Sequence, residues 1–166
     1  VYHVGDFWYG KNGIDTKKRV FRNTTGFTTS FFEDKFRVNG NFTFRNTANT
    51  IAQKRVQVPY STKPGGVAYV GTTTNDLREE RNEDQYIASN LYAEYENTFN
   101  DTHYLKFLAG YNYEQSTFQM LRAQRNGIIY PEADNLNLAL GASSSIGGDW
   151  EKWVVLGGFS RINYAF

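Results

Sequence analysis

The sequence contains no cysteine, which excludes disulfide scaffolds, thiolate metal centres and cysteine nucleophiles. Proline is scarce, at Pro59, Pro64 and Pro131, so few points in the chain forbid a regular backbone. The two histidines, His3 and His103, have no second ligand at metal spacing, and neither a metal nor a cofactor is expected. Long apolar runs are missing too. The greasiest stretch, "WVVLGGF", falls far short of the roughly 18 residues a membrane helix requires. Charge of one sign is also lacking: 18 basic against 17 acidic residues leave +1, with no field to draw in nucleic acid. The opening "VYHVGDFWYG" has neither the basic start nor the apolar centre of a signal peptide. A helical membrane protein is excluded, but a membrane barrel is not, because its strands meet lipid only at every second residue.

Aromatic side chains, in contrast, make up 17% of the chain while the mean hydropathy is only −0.60. Rings set among Asn, Thr, Arg and Glu favour β-structure over helix. The stretch "HYLKFLAGYNYEQ" (103–115) alternates with period two. As a strand it places Leu105, Phe107, Ala109, Tyr111 and Tyr113 on one face and Tyr104, Lys106, Gly110, Asn112 and Glu114 on the other, with Leu108 out of pattern.

The rest of the chain organises around such strands. Residues 1–15 read as an irregular loop, and 19–32 as a Thr- and Phe-rich strand. After the short turn Glu33-Asp34-Lys35, Phe36, Val38, Phe42 and Phe44 share one face, and Arg37, Asn39, Asn41, Thr43 and Arg45 the other. Residues 57–84, with two prolines and several glycines, read as one long loop carrying the charged run "LREERNEDQ" as a solvated surface. A strand resumes at Gln85. The turn Asn100-Asp101-Thr102 leads into the stretch from 103 to about 126, and residues 127–149 form a second long loop. The final strand, "WEKWVVLGGFSRINYAF", sets Val154, Leu156, Ile162, Tyr164 and Phe166 against Arg161 and Asn163.

Short turns therefore alternate with long loops, the asymmetry of outer-membrane barrels. The strands outrun the roughly 9 to 11 residues that cross a bilayer. A soluble sandwich would show strands of about 5 to 6 residues. The predicted fold is all-β, an antiparallel transmembrane barrel segment of about five long strands. Its polar face, expected to line a lumen, carries Arg37, Asn39, Asn41, Arg45, Glu94, Glu96, Lys106, Glu114 and Arg161.

Catalytic readings fare poorly. Glu94 and Glu96 lie two apart on one strand, whereas paired glycosidase acids usually face each other across a cleft, so a wet wall with basic partners such as Lys106 or Arg161 is expected instead. "SSS" at 143–145 is no nucleophile elbow. The chain is not expected to be an enzyme. Candidate ligand contacts in or near the loops are Trp8, Tyr9, Tyr69, Arg122, Arg125, Tyr130 and Asp134; Trp150 and Trp153 fit an interfacial aromatic girdle.

The order "NLYAEYENTFNDTHYLKFLAGYNYEQ" (90–115), then a loop, then "NLNLALGASSSIGGDWEKWVVLGGFSRINYAF" (135–166), resembles the barrel of SusC/RagA-like TonB-dependent outer-membrane transporters. Tyr95, Glu96, Phe99, His103, Leu105, Lys106, Leu108, Ala109, Gly110, Tyr111 and Glu114 carry the resemblance, followed by Leu156, Gly157, Phe159, Arg161, Asn163 and Tyr164. It implies a fragment of a barrel of roughly 22 strands, one partial barrel domain over 1–166 without the family's plug domain. Phe166 is then not expected to end the protein. The parent would sit in the outer membrane against lipid and import oligosaccharides or peptides, driven by TonB and paired with a SusD-like surface lipoprotein. The remaining strands would come from elsewhere in the parent or from a separate chain. Two other readings stay open: a complete eight-stranded barrel acting as a structural protein or adhesin, and a soluble carbohydrate-binding β-sandwich.

Overall fold

The computed structural model describes residues 12–61, 63–71, 74–130, 132 and 134–166. Seven strands follow in chain order: β1 (Gly13–Phe31), β2 (Phe36–Arg55), β3 (Val58–Tyr60), β4 (Ala68–Val70), β5 (Asp76–Phe99), β6 (His103–Asn126) and β7 (Ser144–Ala165). The five long ones form an antiparallel sheet in the order β1-β2-β5-β6-β7, and β3 pairs with β4 in a separate hairpin. The large sheet is not closed: β1 and β7 are its edges. The long strands run 19 to 24 residues, about twice a bilayer crossing.

Two tight turns set the register. Lys35 N–H donates to the Phe32 carbonyl at 3.2 Å, and Thr102 N–H to that of Phe99 at 3.2 Å. The central residues, Glu33 and Asp34 in one turn and Asn100 and Asp101 in the other, all have positive φ. Mirror-image hairpin turns need this to match strand twist, and Asn and Asp tolerate it better than most residues.

Cross-strand contacts identify the two faces. Thr24 meets Thr43, Thr28 meets Asn39, Asn41 meets Asn90, and Asn90 meets Asn112, so these residues share one side. On the other side Phe21 packs near Phe44, Phe31 near Phe36, and His103 against Tyr164. Alternation along each strand then gives that second face an apolar band through Phe21, Phe27 and Phe31; Phe36, Val38, Phe42 and Phe44; Ile87 and Leu91; Leu105, Phe107, Tyr111 and Tyr113; and Val154, Leu156, Ile162 and Tyr164. Many of these side chains stand exposed, including Phe42, Phe107, Leu156 and Ile162. Beyond the band the same positions turn polar, at Arg19, Asn46, Gln85, Gln115 and Lys152.

That change of character coincides with a division into two compact units. One gathers the residues up to Arg19 with Ala48–Glu83 and Gln119–Asp149; the other gathers Val20–Thr47, Asp84–Phe118 and Trp150–Phe166. The second unit holds the apolar band and both tight turns. The first holds the loops and the small buried core of Val56, Leu77, Ile128 and Ala139, with Leu136 packed against it. Leu136 belongs to a short 3-10 turn, Leu136–Leu138, started by Asn135, whose side chain accepts from the Asn137 N–H.

Several expected boundaries need correction. Residues 57–84 are not one loop: β3 and β4 form a hairpin within it, and β5 begins at Asp76, so "LREERNEDQ" is strand. Both faces of β5 are polar there, which removes the apolar alternation that marks strands elsewhere, and cross-strand pairs such as Arg55 with Asp76 hold it instead. The second long loop ends before Ser144, so most of "SSSIGG" lies in β7. β1 begins at Gly13, inside the expected N-terminal loop; Trp8, Tyr9 and His3 lie outside the described residues.

Gly110 tests the packing of the polar face. A Cβ there would stand 2.5 Å from Tyr92 Cβ, 2.6 Å from the Leu91 carbonyl oxygen and 2.8 Å from Phe159 Cζ, whereas one at Gly157 would meet nothing within 4 Å. Gly110→Ala should destabilise the fold by about 1 to 3 kcal/mol by overpacking. Gly157→Ala should stay within about 0.5 kcal/mol of the wild type in the same urea titration. Equal effects of the two would contradict this packing.

Candidate functional site

The polar face of the second unit is built from charges, amides and rings in separate groups. Arg37 of β2 reaches Glu94 at 3.4 Å and Glu96 at 3.2 Å, and Lys106 of β6 reaches the same carboxylates at 3.2 and 3.4 Å. Two cations and two anions on three adjacent strands thus close a neutral quartet near the tight turns. A catalytic acid pair would divide its carboxyls between unlike environments. Here both carboxylates share both cations. The quartet is a structural clamp, and each pair, being partly exposed, contributes modestly.

Further along, Asn90 donates to Asn41 at 3.0 Å and Asn112 donates to Asn90, an amide ladder across β2, β5 and β6. Next to it, the Tyr86 hydroxyl donates to Glu114 at 3.0 Å, the Arg45 guanidinium lies 5.0 Å from the Tyr86 ring centre, and Trp153 stands 6.3 Å from it. Arg45 also pairs with Asp84 at 3.6 Å. Tyr92 and Phe159 approach at 6.5 Å beside Gly110, which has no side chain to separate them. Trp153 therefore faces the polar side with Tyr86. This corrects its expected place in a girdle, for which alternation leaves Trp150 on the opposite face.

In the first unit, Arg55 grips Asp76 with two guanidinium nitrogens, Nε at 2.9 Å, and Asp76 is buried. The hydrogen-bonded Asp76 carboxylate raises Arg55 above its already high range. Asn12 spans the Val56 backbone, donating to its carbonyl at 3.0 Å and accepting from its N–H at 2.7 Å. Glu80, 7% exposed, accepts from Arg78 and, at 3.1 Å, from Asn82. Hydrogen bonding by Arg78, then by Asn82, holds the Glu80 carboxyl below its usual range. Among the described residues no cluster of His, Asp and Glu could hold a metal ion.

The expected polar residues are thus distributed as follows. Arg37, Glu94, Glu96 and Lys106 meet in the quartet; Asn39 accepts from Thr28, Asn41 belongs to the ladder, Arg45 pairs with Asp84, and Glu114 accepts from Tyr86. Arg161 joins neither Glu94 nor Glu96; its Nε donates to Asn163 at 3.0 Å. The loop candidates do not converge. Tyr69 lies on β4 and Tyr130 past the end of β6, both well exposed; Asp134 pairs with Lys54 at 2.6 Å; Arg122 and Arg125 fall on opposite faces of β6. Sequence reasoning missed Arg78, Glu80, Asn82 and the rings Tyr92 and Phe159 as polar-face groups. Period two within "LREERNED" could have found the first three, had both faces of that stretch not been charged.

An open antiparallel sheet of long strands, tight turns at one end and long connections at the other, has the form of a segment of β-barrel wall. Solved structures with a similar fold include a peptide transporter. The chain superposes on the RagAB peptide transporter with a TM-score of 0.80 and 17% identity over 96% of its length. It also matches the RagAB peptide importer in a closed-closed state (0.76, 18% identity) and an open-open state (0.75, 20% identity), each over 96% of its length. In all three it spans 17% of the matched chain. At these identities the likeness concerns the fold. No family model and no curated protein sequence matches the chain.

Glu80 generates a prediction with a definite sign. Its carboxyl is lowered in the folded state, so its contribution is fully present above the unfolded value of about 4.3 and is lost as pH falls through the folded value. The stability gap between wild type and Glu80→Gln in urea titrations should shrink as pH falls from about 6 to about 3. A gap independent of pH would contradict the ionised Glu80 seen beside Arg78.

Proposed function

We propose that the chain is a wall segment of a TonB-dependent outer-membrane transporter of the SusC/RagA-like kind, importing peptides or oligosaccharides with a SusD-like surface lipoprotein. The observation that carries this reading is the pair of faces in the second unit. One bears a continuous exposed apolar band of about the height a bilayer needs, and the other bears ion pairs and amides suited to a watery lumen. The barrel-wall fold shared with RagAB transporters supports the same assignment. In this reading the tight turns at Glu33 and Asp101 lie in the periplasm. The chain provides wall, and the plug and the coupling to TonB belong to other parts of the parent protein. The unpaired backbone of β1 and β7 requires neighbouring strands, since open edges are not tolerated in lipid.

Two measurements test it. In a folding titration of the full-length protein, Phe42→Arg should cost about 2 to 4 kcal/mol at the lipid face, while Thr47→Arg on the polar face should cost little. A spin label at Phe42 that reports water would reverse the faces. In cells, deleting the full-length protein or depleting TonB should abolish uptake of its peptide or oligosaccharide substrate. Uptake that survives either change would overturn the transport role.

A further inference from the structure

Most polar groups described so far are matched to one another. In the first unit, one patch is not. Glu80 is buried and its carboxylate is already engaged by Arg78 and Asn82. Arg122, on the neighbouring strand β6, acts on Glu80 through charge but makes no hydrogen bond or ion pair with any described residue. Its guanidinium lies along β7 over Gly147, where an added Cβ would stand 3.6 Å from Nη2 and 3.8 Å from Nε. Two guanidiniums therefore face the Glu80 carboxylate, and Arg122 keeps N–H groups that no described residue accepts.

The surrounding amides are also unfinished. Buried Arg78 Nε, Asn82 Oδ1 and Asn49 Oδ1 have no hydrogen-bond partner. Asn82 donates through its amide nitrogen to Glu80, and its Oδ1 is left without a donor. The pairing of Arg55 with Asp76 sets a register that brings Asn49 of β2 opposite Asn82 of β5. Unpaired buried polar atoms are costly, and native proteins rarely leave several together. Planar guanidiniums with free N–H groups match a carboxylate, and free amide oxygens require a donor beside it. Chloride and sulfate offer no such donor.

We infer that Arg122, Arg78, Asn49 and Asn82 form a subsite for a carboxylate on a ligand that carries an N–H or O–H group next to it. Two ligand sources share that chemistry: the free C-terminus of a peptide, with its amide N–H, and a uronic acid, with its ring hydroxyl. The inference rests on the transport reading above and narrows its substrate to carboxylate-bearing molecules.

The test uses the full-length protein purified in detergent and calorimetric binding of two matched pairs. One pair is a short peptide with a free C-terminus and its C-terminal amide; the other is an oligogalacturonate and its methyl ester. Wild type should bind the acid of one pair about tenfold or more tightly than its neutral partner, and the pair concerned identifies the source. Arg122→Gln should erase that preference while leaving the neutral ligand's affinity unchanged. Arg122→Lys, which keeps the charge but loses the fork, should retain part of it. Asn49→Ala should weaken binding of both members of the preferred pair. Each variant is first checked for the same heat-modifiable migration as the wild type, and Asn49→Ala provides the readout should Arg122→Gln not fold. Equal affinities within both pairs, or a preference that survives Arg122→Gln, overturns the subsite and leaves the transport reading standing. A wild type that binds none of the four ligands likewise overturns the subsite, while the transport reading stands or falls on the uptake measurement above.

Discussion

The alternation of side chains across a β-strand governs this structure. Because successive residues point to opposite faces, five long strands in register make two continuous surfaces, and a slip of one residue would exchange them throughout. Register is therefore the quantity the molecule must protect. The two tight turns set it at one end, where Glu33, Asp34, Asn100 and Asp101 accept positive φ. The Arg55 and Asp76 pair sets it between β2 and β5 near the other. Between these points the amide ladder of Asn41, Asn90 and Asn112 and the quartet of Arg37, Glu94, Glu96 and Lys106 act as checks, since each forms only in the native register.

How well the sequence could be read depended on the contrast between the faces. Where one face is apolar and the other polar, as in 36–45 and 103–115, alternation identified the strand and the sidedness of nearly every residue. Where both faces are polar, as from Asp76 to Gln85, the period was still present but invisible to hydrophobicity, and the segment looked like loop. The Ser and Gly positions at the start of β7 hid a strand for a different reason: their small side chains carry little pattern, although Gly147 borders the Arg122 guanidinium. Individual partners were harder still. Lys106 beside Glu94 and Glu96 was foreseeable from charge alone, whereas the turn of Arg161 towards Asn163 depends on which neighbours its strand meets.

The polar face also shows how a sheet can be rich in charge without being reactive. Its carboxylates are shared, capped or paired, and its aromatic rings stand against each other or beneath a cation. Such groups hold neighbouring strands together through polar contacts. The small core of Val56, Leu77, Ile128 and Ala139 serves the opposite need in the first unit, tying the connections down where no apolar band is available.

The spacing of the cross-strand contacts along the chain carries a consequence for assembly. β1 with β2, and β5 with β6, are hairpins that can zip upward from their tight turns at small entropic cost. β2 with β5 has no such turn: Arg55 and Asp76 are 21 residues apart in the chain, while Arg37 and Glu96, at the other end of the same strand pair, are 59 apart. Loop closure favours the shorter connection, so this pairing begins at Arg55 and runs down towards the tight turns. Neighbouring strand pairs thus close in opposite directions, and Arg37 joins Glu94, Glu96 and Lys106 last, as the clasp that completes the seam between two finished hairpins.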